Sequence, residues 1–569
     1  MSMKPTTKQE LNVHLERLSD NKARWVRTPL ARRIQLLSEC MDATLAMAPE
    51  MVAAACEAKG IPRDHPAQGE EWLGGPMTIM RNLRLLSRTL RDVQARGAPR
   101  LDSSDLTSRP DGQVKVPVFP RDGYDKLLYS GFSAEIWVEP GVSKEQVLAG
   151  VGGLYRQGER TGGGGVALVL GAGNVASIGP MDVLYKLFCE DQVCLLKMNP
   201  VNEYQGPFVM RGLAPLVKEG VLRLAYGGAA VGEHLVHHDA VDEIHITGSD
   251  TVHDIIVWGP PGAEQDRRKA SGQPLLSKRI TSELGCITPV IIVPGQWTKK
   301  ELNFHAESIA SMLANNASFN CNAAKVLVTS AAWPQREELL ARVNKILADL
   351  PPRHTYYPGS DAKYQRFMEA HPEAVQHSDP FPGRVPWTTI FGVDPAREDD
   401  IVFTEEAWCA VLAETALPEA EPDEFLAAAT RFANDKLWGT LSCAVLIHPS
   451  TKAGLGPLVF EDHLASLRYG SIVVNHWPAV SYGICTTTWG AFPCHTLQDI
   501  GSGVGTVHNT LMIPRPERAV IHGPFFMSPR PPWFVTHRGG KEIGRALTRF
   551  EHRPSLLRLG PTLYHALKG

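Results

Sequence analysis

The chain has 569 residues, enough for more than one hydrophobic core, and its 43% hydrophobic and 21% charged residues are ordinary proportions for a globular protein. A formal net charge of -3 leaves no bulk basic field, so no nucleic-acid partner is expected. Its 10 scattered cysteines include no CxxC pair, which argues against a zinc finger or a thioredoxin motif and fits a reducing compartment. The segment Met1 to Lys8 lacks the apolar core of a signal peptide, and no apolar stretch is long enough to span a bilayer, so a cytoplasmic location is expected.

In chain order, residues 1–100 read as helical, with Leu11, Leu15, Leu18 and then Ile34, Leu37, Met41 at helical spacing. Residues 101–160 are broken by Pro110, Pro117, Pro120 and Pro140, and pieces such as Ala134 to Val138 read as strands. Gly162 to Gly165 form a flexible lead-in. From there the rhythm is regular. Strands at 166–170, 193–197, 221–226 and 243–246 alternate with helical stretches, which indicates βαβ units and a parallel sheet over 161–284. A second α/β region, 285–480, has strands at 287–293, 326–328, 410–412 and 444–447 and helices at 301–314 and 336–350. The segment 354–397 is proline-rich and reads as loop. Residues 481–569 end in a basic tail, from His537 onward, that reads as a solvated amphipathic helix able to touch a membrane surface or a partner subunit.

Several segments in this order resemble the aldehyde dehydrogenase superfamily, as a divergent branch, over roughly residues 160–480. They are Gly173-Asn174-Val175, Leu195 to Pro200 with its strand-end Lys197, Gly227 to Gly232, Ile246-Thr247-Gly248-Ser249, Glu283-Leu284-Gly285, Asn320-Cys321, Glu405 to Trp408, and Tyr469 to Asn475. The resemblance implies an α/β fold with a Rossmann-type parallel-sheet nucleotide domain, a second α/β catalytic domain and a small bridging element. It also implies a homodimer or homotetramer, an aldehyde substrate, and NAD or NADP as cofactor. The dinucleotide is expected without a GxGxxG fingerprint. The acid that NAD-preferring members often carry after the lysine is replaced here by Pro200, with Glu203 further on, which leaves NADP open.

The chemistry assigns each residue a job. A thiolate adding to an aldehyde carbonyl makes a tetrahedral adduct that can expel hydride, and Cys321 is the candidate nucleophile. Asn174 and the Cys321 backbone N–H would hold the oxyanion. Glu283 would activate the water that hydrolyses the thioester, although it could instead pair with Lys278 or Arg279. Lys197 and Asn199, Gly228 and Gly232, Thr247, Gly248 and Ser249, and Glu406 with Trp408 form the expected dinucleotide site. A metal site at Cys485, Cys494 and His495 has no connected spacing, and no metal is expected.

The sequence also departs from the family pattern. Gly259 to Gln273 reads as an insertion, Cys286 replaces the second glycine after Glu283, and the chain end differs from the usual tail. Two alternatives stay open. One is an acyl-CoA reductase or a CoA-acylating dehydrogenase, since Gly173-Asn174-Val175 is similar to the luciferase-linked reductases. The other is a catalytically silent dinucleotide-binding scaffold protein.

Overall fold

A computed structural model describes residues 3–156, 164–379 and 381–568. Gly162 and Gly163 of the expected lead-in, and the expected boundary at 160–161, lie outside the described residues. Two sheets organise the rest. A five-stranded sheet has the order Leu222–Ala225, Gln192–Lys197, Gly165–Leu170, Glu243–Thr247, Arg279–Glu283, and every pair in it is parallel. Val166 to Val169 have no exposure, as expected of strands covered on both faces.

The larger sheet has 11 strands. Its centre is parallel, running Pro516–His522, Ser471–Val474, Ser442–Leu446, Thr288–Ile292, Ala324–Ser330, Val411–Leu417, Thr388–Ile390. Antiparallel strands extend both sides: Ser133–Val138, Val114–Phe119 and Thr107–Ser108 on one, Val375–Gln376 on the other. The chain passes between the sheets at Glu283, which ends the last strand of the small sheet five residues before Thr288 opens a strand of the large one.

Helices Lys8–Val26, Leu30–Ala58 and Thr78–Arg96 pack their apolar faces on the small sheet and on one another. The first starts at a capping box, where Thr7 and Glu10 satisfy each other's backbone N–H groups. Three segments differ from the sequence reading. Residues 354–397 are not simply loop: they hold the helix Ser360–Ala370, anchored by buried Tyr364 and Phe367, and the strands at 375–376 and 388–390. Proline density had masked the three-residue spacing of those two aromatics. The stretch 259–273 contains a surface helix, Ala263–Ser271, with no buried residue. The tail is not a solvated helix throughout, because Gly540–His552 buries Ile543, Leu547 and Phe550 against the helices of residues 68–96.

That last contact is locked by charge. Arg81 is fully buried and reaches Glu551 at 2.7 Å, Asp125 at 2.9 Å and the Ile484 carbonyl at 2.9 Å. Arg84 takes the other Glu551 oxygen at 2.6 Å. Arg81→Met would leave buried Asp125 without its cation and Glu551 with Arg84 alone. It should cost about 3–5 kcal/mol of stability in a denaturant titration. A loss below about 1 kcal/mol would show that the pairing is dispensable.

Candidate active site

In the five-stranded sheet the chain begins in the middle at 165–170, steps outward to 192–197 and 222–225, then returns to 243–247 and 279–283. Loops leave the strand ends in opposite directions at that reversal and open a crevice there, the usual ligand position in such sheets. A cleft of about 1170 Å³ lies at these strand ends. Its wall includes Lys197, Asn199, Gly228, Gly232, Thr247, Gly248, Ser249, Glu406 and Trp408, together with Asn174, Glu283 and Cys321. Residues spread over more than two hundred positions are thus brought to one cavity.

The side chains are engaged to different degrees. Lys197 ends its strand almost buried, and burial lowers its ammonium pKa while Glu203 works against that. Asn199 Oδ1 accepts the Val201 N–H at 3.0 Å and shapes the turn. A Cβ added at Gly228 or Gly232 would meet nothing within 4 Å, so both backbones face open space. Thr247 Oγ1 donates to Asp182 at 3.1 Å, and Ser249 Oγ caps the helix Asp250–Trp258 by accepting the Val252 N–H at 3.3 Å. Both hydroxyls therefore serve the fold. The Gly248 N–H donates to the Glu283 carbonyl at 3.1 Å and ties the two strand ends together. Glu406 lies against Gly285 so closely that a Cβ there would collide with its carboxylate, and its Oε1 is buried without a hydrogen-bond partner. Trp408 adopts a left-handed backbone, φ 43°, and sets its ring edge-on to Tyr357 at 5.3 Å.

Cys321 follows an unusual turn. The helix Lys299–Ala314 ends, and Asn316, Ala317 and Ser318 all take positive φ, at 54°, 56° and 69°. Non-glycine residues pay for that conformation, of order 1–3 kcal/mol each, unless their surroundings impose it. Here they do. The Asn316 amide donates to the carbonyls of Asn174 at 3.1 Å and Phe319 at 3.0 Å and to Asn320 Oδ1 at 3.1 Å. Its oxygen accepts from Lys59 Nζ at 2.9 Å and Tyr356 Oη at 2.8 Å. Lys59 also donates to Glu71 at 2.8 Å and the Asn174 carbonyl at 3.0 Å. Lys325 holds the other end of the turn through Ser318 Oγ at 2.7 Å. Asn174 donates one amide N–H to the Phe319 carbonyl at 3.0 Å, which leaves it a second N–H on the same cavity wall as Cys321.

Electrostatics couple the thiol to one carboxyl. Burial pushes the Cys321 thiol well above its ordinary range, and the nearby Glu283 and Glu406 carboxylates push it further. Burial, then Asp182, lifts Glu283 to about 8, while the facing Cys321 thiol and Trp489 pull it down. Burial likewise raises Glu406, against the pull of Lys325 and Lys363. Glu283 is not a surface ion-pair partner: Arg279 pairs with Glu243 at 2.9 Å, and Lys278 donates to the Val236 and His238 carbonyls at 2.9 Å and 2.6 Å. Its Oε1 is buried without a hydrogen-bond partner, a feature that in an interior usually has a reason.

Sequence reasoning overlooked Lys59, Glu71, Asn316 and Tyr356. Lys59 follows the helix Leu30–Ala58, where a lysine is commonplace, and only its contacts 115 and 257 residues away mark it. Asn316 offered no signal beyond proximity to Cys321. Among the described residues no group of three or more His, Cys, Asp or Glu side chains is arranged to hold a metal ion, and no helix is long and apolar enough to cross a membrane.

By sequence, no family model and no curated protein matches this chain. By structure it is similar to an aldehyde dehydrogenase of Mycobacterium tuberculosis complexed with NAD+, with a TM-score of 0.61, 15% identity and 91% of each chain covered. It is also similar to an NADP-dependent glyceraldehyde-3-phosphate dehydrogenase of Bacillus halodurans C-125 complexed with NADP, with a TM-score of 0.58 and 16% identity over 91% of this chain and 92% of that one. An NAD-dependent aldehyde dehydrogenase of Sinorhizobium meliloti gives a TM-score of 0.59 and 16% identity over 91% and 87%. Structural similarity over nine-tenths of the length, at such identity, is a statement about architecture: this chain adopts the aldehyde dehydrogenase fold.

Proposed function

We propose that the protein is an NAD(P)+-dependent aldehyde dehydrogenase of a divergent branch, oxidising an aldehyde to a carboxylic acid through Cys321. The observation that carries this reading is the place of Cys321 and Asn174 on the walls of two cavities at once, the strand-end cleft and a second, apolar one, with Glu283 facing the thiol.

The cleft fits a dinucleotide. Gly228 and Gly232 leave room for a close backbone approach, and Lys197 and Glu406 supply a donor and an acceptor for hydroxyl groups. Asn199, Thr247, Gly248, Ser249 and Trp408 complete its walls. When bound, the nicotinamide cofactor supplies the hydride acceptor. The chain does the rest. The Cys321 proton passes to Glu283, the nearest carboxylate, as sulfur adds to the carbonyl carbon. The oxyanion receives the free Asn174 N–H and the Cys321 backbone N–H. Loss of hydride leaves a thioester on Cys321; Glu283 then releases its proton to solvent and, ionised again, draws a proton from the water that hydrolyses the thioester, with the Cys321 thiolate as leaving group.

In this reading residues 161–284 form the dinucleotide-binding core, with the helical residues 1–100 around it, and 285–480 carry the nucleophile. Residues 101–160 and 481–569 are the bridging and oligomerisation elements of a homodimer or homotetramer. The antiparallel strands at 107–119 and 133–138 support this, since they end the large sheet in an edge that a second copy can cover. The basic tail exposes Leu556, Leu557 and Leu567, a pattern that would support weak contact with a membrane surface. The site lies within the cytoplasm in this reading.

Three outcomes test it. Cys321→Ala should abolish aldehyde-dependent formation of reduced nicotinamide, without added CoA, while calorimetry still detects NAD+ or NADP+ binding. Retained turnover would remove Cys321 from the chemistry, and activity that appears only with CoA would favour the acyl-CoA-linked alternative. Glu283 must lose its proton to act as base, so the wild-type rate should rise as pH increases through about 8. Glu283→Gln should lower turnover about 10²–10⁴-fold and erase that rise. An unchanged pH limb would assign it to another group. The same carboxyl binds its proton more tightly folded than unfolded, so its ionisation costs stability as pH rises from its ordinary 4.5, and the cost is complete above about 8. Glu283→Gln should therefore melt at a higher temperature than wild type at pH 9 and at the same temperature at pH 4. Equal melting at both would contradict the raised value.

A further inference from the structure

The second cavity defines what the site accepts. It has a volume of about 610 Å³ and reaches from Cys321 and Asn174 to the C-terminal helices, where Leu563 and Ala566 line it. Its walls are mainly apolar: Met77, Phe132, Trp477 and Ile484 are all buried within it. One end opens to solvent, because Leu127, Phe526 and Leu563 line the same cavity and are 52%, 44% and 37% exposed. Cys321 and Asn174 lie on its wall where it meets the strand-end cleft.

The two arginines in this wall are each paired with a carboxylate. Arg353 donates to both Glu70 oxygens, at 3.1 Å and 3.2 Å, and Arg530 donates to Glu307 at 3.1 Å. Among the described residues no lysine lines the cavity. A substrate bearing a phosphate or a second carboxylate would have to desolvate that group with no unpaired arginine and no lysine among the described wall residues to receive it. An alkyl chain meets the opposite situation, since each methylene leaves water for an apolar wall. A methylene needs about the volume of a water molecule, roughly 30 Å³, so the cavity holds a chain of well over ten carbons.

We infer that the substrate is a long, uncharged aliphatic aldehyde, drawn into this tunnel head first with its tail against the C-terminal helices. The inference rests on the oxidation proposed above, and it adds the substrate class. The bond changes are those already given, and the chain beyond the carbonyl carbon takes no part in them.

Gly483 offers a steric test. It lines the cavity on the helix Ala479–Ile484, and a Cβ built on it meets nothing within 4 Å, so its missing side chain faces the lumen. Purified protein is assayed for reduced nicotinamide with propanal, hexanal, decanal and the decanal analogue that carries a terminal carboxylate. Expected is a rise in kcat/KM of about two- to fourfold per added methylene and a drop of tenfold or more for the carboxylate analogue. Gly483→Phe should lower kcat/KM for decanal at least tenfold more than for propanal. A turnover-independent readout uses Cys321→Ala, with decanoate and butyrate titrated against the fluorescence of the tryptophans in the wall. Decanoate should bind at least tenfold more tightly. Turnover of propanal with no dependence on chain length, and equal binding of the two acids, would overturn the tunnel and leave the oxidation standing. Tight decanoate binding without turnover of any aldehyde would keep the tunnel and overturn the oxidation. Neither binding nor turnover would overturn both.

Discussion

One buried ammonium, that of Lys59, ties the loop that carries Cys321 to the helices and to the Asn174 turn. It joins the end of the second helix to the Asn174 turn, to Glu71 and to Asn316. Asn316 in turn fixes three successive left-handed residues ahead of the thiol. Such a turn persists only when its hydrogen bonds are made elsewhere in the interior. The thiol and the side chain proposed to receive the oxyanion therefore hang from a single network, and their spacing is set before any ligand arrives. A lost Lys59 would leave Glu71 buried without its cation and Asn316 short of a donor, so its removal would unsettle fold and site together.

Burial raises the proton affinity of the thiol and of the carboxyl facing it, and the carboxyl raises that of the thiol further. Neither is ionised to any great extent at neutral pH, which keeps the interior free of uncompensated charge at rest. In the proposed mechanism reactivity then begins with ionisation of Glu283, whose carboxylate takes the thiol proton as sulfur attacks, so no standing thiolate is needed. The cost is borne by the fold: Glu283 is a side chain whose ionised form the interior resists.

Much of the architecture was legible because it is written locally. Val166 to Leu170 and Val193 to Leu196 are continuous apolar runs bounded by glycine or polar residues, and they could hardly be anything but buried parallel strands. Glu283 and Cys321 stood out through their immediate neighbours. What could not be read is what depends on distance along the chain. Lys59 and Asn316 look ordinary until folding brings them within 2.9 Å across 257 positions. The helix at 360–370 was hidden by the prolines that flank it. The tunnel has no local signature at all, because its wall draws on residues from 65 to 566.

The cysteine is reached from two sides, through a cleft at the strand ends and through a channel bounded by the C-terminal helices. Traffic on the two sides need not be sequential. In the proposed oxidation an acid leaving by the channel would not cross the path of a departing nucleotide, and either compartment could refill while the other is still occupied. Turnover in such a molecule has no obligatory queue imposed by shape, and any order of arrival has to come from charge or from motion instead.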